Sequence, residues 1–417
     1  HRDTSPNIDR FAEGAFLFEK AIAPSSWTLP SHASLFTGLH PSVHLAGIWV
    51  PPRFGPPIQE SERTLAELAR EQGYLTAAYT EGVWVRALFG FAQGFEVYSD
   101  GKGRMAKDAE TTFNDATEWL GKYSRMPFFL FVHTYQTHTP YTPRGRFATM
   151  FDSDYTGSIG TTEALCRPQA ATSDADRIHI EALYDGEIAY TDEVVGNFLD
   201  KLADTGLLHN TVVFIFSDHG EEFWEHEGYG HGKTVYDESL QVPLIIRLAG
   251  EHPPTGAVAR QVSLTDLYAT VNDLLSIDHN SPPDCMSLLP LMGVNESAQH
   301  YDRKFVVSGI IRQTLSRTAQ GETEVTWRRR SVRTDGEKYV RTGTDQQVEE
   351  LYDLQADPGE KNDIAARNQS RLDHYRELLA SFLERVAAGR TPLEPDQSKA
   401  PLLTEEDKRR LKALGYL

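Results

Sequence analysis

Val212-Val213-Phe214-Ile215-Phe216-Ser217-Asp218-His219-Gly220 is an apolar run that turns abruptly into a hydroxyl, a carboxylate and an imidazole. A run with no polar alternation reads as a strand buried on both faces, the condition of a parallel sheet covered by helices. A second run, Phe128-Phe129-Leu130-Phe131-Val132, ends in the same manner at His133-Thr134-Tyr135-Gln136-Thr137-His138. Helical spacing fills the intervals. Leu65, Leu68 and Ala69 lead to a stop at Gly73 and then to the strand-like Leu75 to Tyr79. Phe113, Ala116 and Leu120 form another face, and Leu183, Ile188, Val195, Phe198 and Leu202 form a longer one ending near Gly206. This alternation predicts an α/β fold over residues 1–300, a largely parallel sheet sandwiched by helices. Ligands of such sheets bind beyond the C-terminal strand ends, where both polar clusters fall.

After residue 300 the pattern changes. Short runs at Lys304 to Ile310, Arg329 to Arg333, Lys338 to Arg341 and Glu349 to Tyr352 precede an amphipathic stretch from Leu372 to Val386. They predict a second unit over 301–417, a small antiparallel sheet with a packed helix. The charged Leu403 to Leu417 segment reads as a terminal helix on the surface or at a contact between copies of a homo-oligomer.

A net charge of −19 over 417 residues argues against nucleic acid as the main partner. A small anionic ester remains compatible with it where a metal and helix N-termini supply local positive charge. No apolar run approaches the roughly 20 residues of a membrane-spanning helix. Cys166 and Cys285 are too few for a disulfide framework or a thiolate metal cluster. The chain opens at His1 without an initiator Met, which reads as residues missing upstream, so the sequence gives no compartment.

The chemistry gathers in four places. Thr28-Leu29-Pro30-Ser31-His32-Ala33-Ser34-Leu35-Phe36-Thr37-Gly38 reads as a short helix stopped by Gly38. Thr28 lies at or just before its N-terminus, where an anion is favoured, and is either a nucleophile or a plain N-cap. Asp218 and His219 form a candidate metal-ligand pair, with Gly220 permitting a sharp turn. Within Glu225-His226-Glu227-Gly228-Tyr229-Gly230-His231-Gly232-Lys233, the two histidines lie in a Gly-rich loop, not at the helical spacing of a zinc protease. His231 and Lys233 suit an anion there, while Glu221, Glu222 and Glu225 read as a solvated face. His138 can protonate a leaving group or hold an ester oxygen. His133 reads as a buried, satisfied histidine.

Taken in order, Ser5 to Phe11, Thr28 to Gly38, Phe128 to Tyr141, Tyr184-Asp185-Gly186-Glu187, Ser217 to Gly220 and His231-Gly232-Lys233 resemble the alkaline phosphatase superfamily, in its sulfatase-like branch. Val242 to Ile245, Leu351 to Leu354 and Asp357-Pro358-Gly359-Glu360 extend the resemblance almost end to end. It implies Thr28 as the nucleophile and a ligand to the metal, Asp218 and His219 as further ligands, and His138, His231 and Lys233 on the substrate side.

The departures shape the functional expectation. Sulfatases carry Cys or Ser in a C/S-x-P-x-R pattern that is converted to formylglycine, whereas this chain has Thr28-Leu29-Pro30-Ser31-His32. Glu81-Gly82-Val83 stands where many sulfatases have a Lys-x-His pair. His219 stands where they commonly place Asn beside calcium, and an imidazole suits zinc or manganese better. No Asp is followed by His four residues on, so one divalent ion is expected, not two.

The expectation is a metal-dependent hydrolase of phosphate mono- or diesters acting through a covalent threonine intermediate. The alternatives are a sulfuric ester hydrolase, with calcium, and a non-catalytic relative lacking a complete metal site. The resemblance also implies that the family's first strand, which carries metal-binding aspartates, is missing ahead of Pro6. That predicts a vacant central position in the sheet beside the strand ending at Phe216, an empty metal site and poor activity.

Overall fold

A computed structural model describes the chain except residues 1, 48, 51–52, 55, 102–106, 160–166, 278–280, 295–300, 319–320, 344–346, 389–403, 406–407, 410, 412–413 and 415–417. Cys166 and most of the expected terminal helix from Leu403 lie outside the described residues. The main sheet comes in two pieces. In one, Val97–Ser99, Leu75–Tyr79 and Phe128–Val132 pair in parallel. In the other, the order is Gly256–Val258, Phe16–Ile22, Gln241–Arg247, Val213–Phe216, with Val262–Ser263 also on Phe16–Ile22. Only Gln241–Arg247 runs against its neighbours, so the sheet is largely parallel with one reversed strand.

The two apolar runs that decide the fold behave as doubly covered strands. Phe129, Phe131, Phe214 and Phe216 face the large core around the Thr28–Thr37 helix. Phe128, Leu130, Val213 and Ile215 face the opposite layer, against Trp119, Leu120, Leu199 and Leu202 of the helices Ala109–Tyr123 and Asp174–Asp204. Both strands are nonetheless only half-buried along their length. Each is the last strand of its ladder, and the described residues place no strand between them. An unpaired edge leaves backbone N–H and C=O groups without a ladder partner.

Local chemistry sets the helix starts. Thr64 and Glu67 form a reciprocal capping box at Leu65–Glu71, and Ser173 and Asp176 do the same for Asp174–Asp204. The seven-residue helix Pro6–Ala12 is pinned by Asp192, whose carboxylate accepts from Asn7 N at 3.1 Å, Asn7 Nδ2 at 2.7 Å and Ile8 N at 2.8 Å. Gly196 is required beside it, because a Cβ there would stand 2.5 Å from Asn7 Cβ.

The C-terminal sheet runs Val348–Asp353, Glu337–Thr342, Gly321–Arg333, Val306–Thr318, Trp49–Val50, Arg53–Phe54. Its central hairpin is longer than the sequence suggests, and its last two strands come from the first half of the chain. The helix Gln369–Ala387 packs Leu372, Tyr375, Leu379 and Phe382 onto it. A buried knot joins this unit to the main one: Lys338 Nζ lies 2.8 Å from Asp237 Oδ1 and 2.9 Å from Glu360 Oε1, with Arg333 NH2 2.8 Å from Asp237 Oδ2. No helix among the described residues is long and apolar enough to cross a membrane.

Candidate active site

The helix Thr28–Thr37 begins where the extended Trp27, at φ −156°, stops capping and starts turning, and it ends at Gly38 with φ +69°. Trp27 is the N-cap and Thr28 the first helical residue, so the plain N-cap reading of Thr28 fails. Its hydroxyl is left for another partner: Thr28 Oγ1 lies 3.3 Å from His219 Nε2. The whole helix is buried, so its N-terminus enters the site without water competing along its flanks.

The turn after Val213–Phe216 holds the metal-ligand candidates. Gly220 is required because a Cβ there would stand 2.0 Å from Glu238 O. His219 Nδ1 lies 2.8 Å from the Gly220 carbonyl, which only accepts, so the ring proton is on Nδ1 and Nε2 carries the lone pair. Burial pushes this imidazole below its ordinary pKa and keeps it neutral, as a ligand must be. Asp218 Oδ2 lies 3.5 Å from His219 Nε2 and 3.3 Å from His32 Nδ1. The His32 ring proton points instead to Thr28 O at 3.0 Å, which leaves Asp218 Oδ2 buried with no well-formed hydrogen bond. Burial raises the Asp218 carboxyl, but His219 and His32 lower it further, and it stays ionised.

A buried, ionised, unsatisfied carboxylate oxygen next to an imidazole lone pair and a hydroxyl is a donor set that fits a divalent cation. Among the described residues no cluster of three or more His, Cys, Asp or Glu has ligand geometry, consistent with only two such residues plus Thr28 at this point.

Histidines line the rest of the site. The His231 ring centroid lies 4.5 Å from that of His219 and 4.8 Å from that of His138. Glu221 Oε1 accepts from His231 Nδ1 at 3.1 Å, orienting the ring. Gly232 N donates to Ser26 O at 2.7 Å, which ties the His231 loop to the segment just ahead of Thr28. His138 Nδ1 lies 2.6 Å from Thr139 O and so bears the proton, and burial holds the ring neutral. In this resting state His138 is a proton acceptor through Nε2. Lys233 is exposed, its Nζ donating to Tyr229 O at 2.9 Å and lying 4.1 Å from the centre of the Tyr229 ring. Tyr229, not the histidine cluster, engages it in this arrangement.

Several sequence readings change here. Glu222 is buried and accepts Gly228 N at 2.7 Å, Glu221 is partly buried and bound to His231, and of the three Glu225 alone is exposed. His133 is not satisfied, since its Nδ1 is buried without a partner and its ring abuts His32 at 4.8 Å. Glu81 is a buried anchor, accepting from Thr134 Oγ1 at 2.6 Å and from the backbone N–H groups of Tyr135 and Lys107 at 2.8 Å each.

Sequence reasoning also missed the Lys107–Glu187 pair, 2.5 Å apart and buried. Glu187 further accepts Gln136 Nε2 at 2.7 Å and Thr142 N at 2.8 Å, clamping the loop that carries His138. The signal was present in Tyr184-Asp185-Gly186-Glu187, a motif with no chemistry of its own until the loop is seen around it.

A family model described as Sulfatase matches residues 1–277, and one described as N-sulphoglucosamine sulphohydrolase, C-terminal, matches 225–388. The chain is 24% identical to arylsulfatase K of Xenopus laevis over 91% of its own length and 78% of that protein's. It is 29% identical to arylsulfatase K of Gallus gallus over 49% of this chain and 37% of that one. It is 25% identical to choline-sulfatase of Rhizobium meliloti over 63% of this chain and 52% of the other. The chain thus spans about half or less of two of these three relatives. Among solved structures, the phosphonate monoester hydrolase of Agrobacterium radiobacter superposes with a TM-score of 0.73 at 21% identity, covering 92% of each chain, which bears on the fold. These relatives support an ester hydrolase of this superfamily, and they support the sulfuric-ester alternative at least as well as the phosphate-ester expectation drawn from Thr28.

Proposed function

From the premise that this chain belongs to the sulfatase family, we propose that it hydrolyses a small anionic ester with Thr28 as the attacking group. The observation that carries this reading is the 3.3 Å approach of Thr28 Oγ1 to His219 Nε2, beside the unsatisfied Asp218 Oδ2. Asp218, His219 and Thr28 would hold one divalent cation. When bound, that ion would lower the pKa of the Thr28 hydroxyl and offset charge on the ester oxygens.

Thr28 Oγ1 then attacks the central atom of the ester and breaks its bond to the leaving oxygen, which departs as the alcohol with the proton that Thr28 gave up, leaving a covalent ester of Thr28. The buried helix N-terminus and His231, oriented by Glu221, bind the non-bridging oxygens. His138, neutral with Nε2 as acceptor, takes the proton of the water that releases the product. Lys233 has a place only at the outer rim of the substrate.

A sulfuric ester is the first reading of the substrate, since the relatives named by sequence likeness are sulfatases. A phosphate or phosphonate ester is the second, favoured by Thr28 itself. A threonine has no aldehyde hydrate through which to shed the group, so water must attack the central atom directly. The test is a side-by-side assay on nitrophenyl sulfate, nitrophenyl phosphate, bis-nitrophenyl phosphate and a phenylphosphonate monoester, each with zinc, manganese or calcium supplied. The fastest substrate assigns the central atom. Absence of turnover on all four, or turnover that survives Thr28→Ala, overturns the proposal and leaves the non-catalytic alternative.

A further inference from the structure

His226 takes no part in the proposed chemistry, yet both of its ring nitrogens are engaged. Nδ1 lies 2.7 Å from Glu238 Oε1, and Nε2 lies 2.9 Å from the carbonyl oxygen of Glu360. Both partners only accept, so the ring donates to each, and a bond to a carboxylate is of the stronger class. The imidazole also stacks on the Tyr236 ring, with centroids 3.7 Å apart and planes 14° from parallel. The Tyr236 hydroxyl in turn donates to Glu350 Oε2 at 2.9 Å, so the stacking partner is itself anchored to the C-terminal sheet.

His226 sits at the tip of the hairpin Glu222–Phe223/Tyr229–Gly230, whose foot carries Glu221 and His231. The tip is strained. Trp224 at φ +67° and Glu227 at φ +62° occupy the left-handed region, which is unfavourable for residues with a Cβ. Such a turn persists where the surrounding contacts over-determine it. Here they come from two sides. Glu238 belongs to the main unit, whereas Glu360 belongs to the C-terminal unit, as does Lys361, whose Nζ donates to Glu225 O. Glu360 is itself at φ +54°, and its carboxylate accepts Asp237 N at 2.7 Å. It therefore grips the hairpin tip and the turn that bears Glu238 together.

Glu238 makes a second contact, with the turn that follows His219. Its carbonyl oxygen lies against Gly220, where a Cβ would stand 2.0 Å away, and the Gly220 N–H donates to Ser239 O at 3.0 Å. One short element, Asp237–Leu240, thus abuts the backbone just after His219 and, through His226, holds the hairpin that leads to His231. The His219 and His231 rings stand 4.5 Å apart, centroid to centroid. We propose that His226 is a positioning residue for ester turnover: by bridging Glu238 and the Glu360 carbonyl it sets where His231 stands relative to His219, so that the C-terminal unit takes part in building the active site. The effect on rate rests on the ester-hydrolase reading, and the effect on the His231 ring does not. A displacement of about 1 Å at a group that binds the reacting oxygens is enough to cost turnover tenfold or more.

Three variants test it on the full chain. His226→Leu removes both bonds, His226→Asn keeps a donor towards Glu238, and His226→Gln keeps one towards Glu360. Each is compared with the unaltered chain by kcat and KM on the fastest of the four esters, by urea unfolding, and by proton–nitrogen spectra of the imidazoles, with His231→Gln assigning the His231 signals. His226→Leu is expected to lower kcat at least about tenfold at a temperature where it is fully folded, by a larger factor than KM rises. His226→Asn should recover more of the rate than His226→Gln, because the Glu238 bond is the one continuous with the Gly220 turn. The His231 signals should shift in His226→Leu, while those of His40 and His44, at the other end of the Thr28–Thr37 helix, stay in place. If the unaltered chain cleaves none of the esters, the functional reading falls and the His231 spectra still decide the positioning. Should His226→Leu not fold, the Asn and Gln variants carry both readings. His231 signals unmoved in every folded variant, or a rate loss that equals the loss of folded protein, overturns the proposal.

Discussion

Thr28 and His219 are 191 residues apart in sequence, and their side chains meet with Oγ1 and Nε2 separated by 3.3 Å. One stands on the first turn of a buried helix and the other on the turn after a strand, so neither can approach the other by a local fluctuation. The meeting is built by the sheet and by Ser31 Oγ, which donates to Asp218 O at 2.7 Å and fastens the helix to the strand end.

Replacing Thr28 by Ala is expected to abolish ester turnover, because the attacking oxygen is gone. Stability should change by less than about 1 kcal/mol, since Trp27 and not Thr28 occupies the N-cap. Thr28→Ser, which keeps the oxygen, should retain turnover. Initial rates together with urea unfolding of both variants check the pair; equal loss in Ser and Ala variants would remove the nucleophile assignment.

Asp218→Asn and His219→Ala should each reduce bound divalent metal in the purified protein by at least about tenfold, measured by elemental analysis after dialysis against trace metal. Chelation should lower the melting temperature of the unaltered protein and leave that of Asp218→Asn nearly unmoved. A chelator effect of the same size in both would place the metal elsewhere.

Glu187→Gln should destabilise the protein by about 3–5 kcal/mol, because the buried Lys107 ammonium loses its counter-charge. The cost should fall in the double variant Glu187→Gln/Lys107→Met, which removes the stranded charge as well. Turnover should stay low in the double variant even where it is folded. Gln136 and Thr142 would no longer be gripped by a carboxylate, and the loop between them carries His138. Unfolding curves and rates on the three variants separate stability from positioning.

The strands and helices that form this site were legible because their patterns are unbroken. Phe128 to Val132 and Val213 to Phe216 are strands covered on both faces, as their continuous apolarity requires. The two strand ends also carried Asp218 and His219, whose imidazole the structure sets beside Thr28, and His138, which adjoins His219 by way of His231. What stayed hidden were contacts between polar residues far apart in sequence. Glu81, Lys107 and Glu187 lack local periodicity or turn chemistry that would announce them, and their roles exist only once the Thr134–Thr142 loop has folded over them. The error over Glu221 and Glu222 has a similar origin: a run of acids looks solvated unless one knows that His231 and the Gly228 amide are waiting for them. The reversed strand Gln241–Arg247 was invisible because burial, not direction, is what an apolar run records.

Asp237 is the group through which acid should loosen the junction between the main unit and the C-terminal sheet. Burial raises its carboxyl, but Lys338 and Arg333 lower it more, leaving the folded value well below the ordinary one. A carboxyl depressed in the folded state stabilises above its unfolded value and loses that contribution as pH falls through the folded one. The Asp237 contribution to the junction is thus at full strength above about pH 4 and weakens progressively below it. Asp237→Asn should lose about 3 kcal/mol at neutral pH, since Arg333 and the fully buried Lys338 then share only Glu360 and neutral acceptors. Its stability should also fall less steeply than that of the unaltered chain as the pH is lowered from 5 towards about 2. Urea titrations across that range measure both slopes. Parallel slopes would mean that Asp237 is not depressed in the folded protein and that the acid sensitivity of the junction lies in another carboxylate.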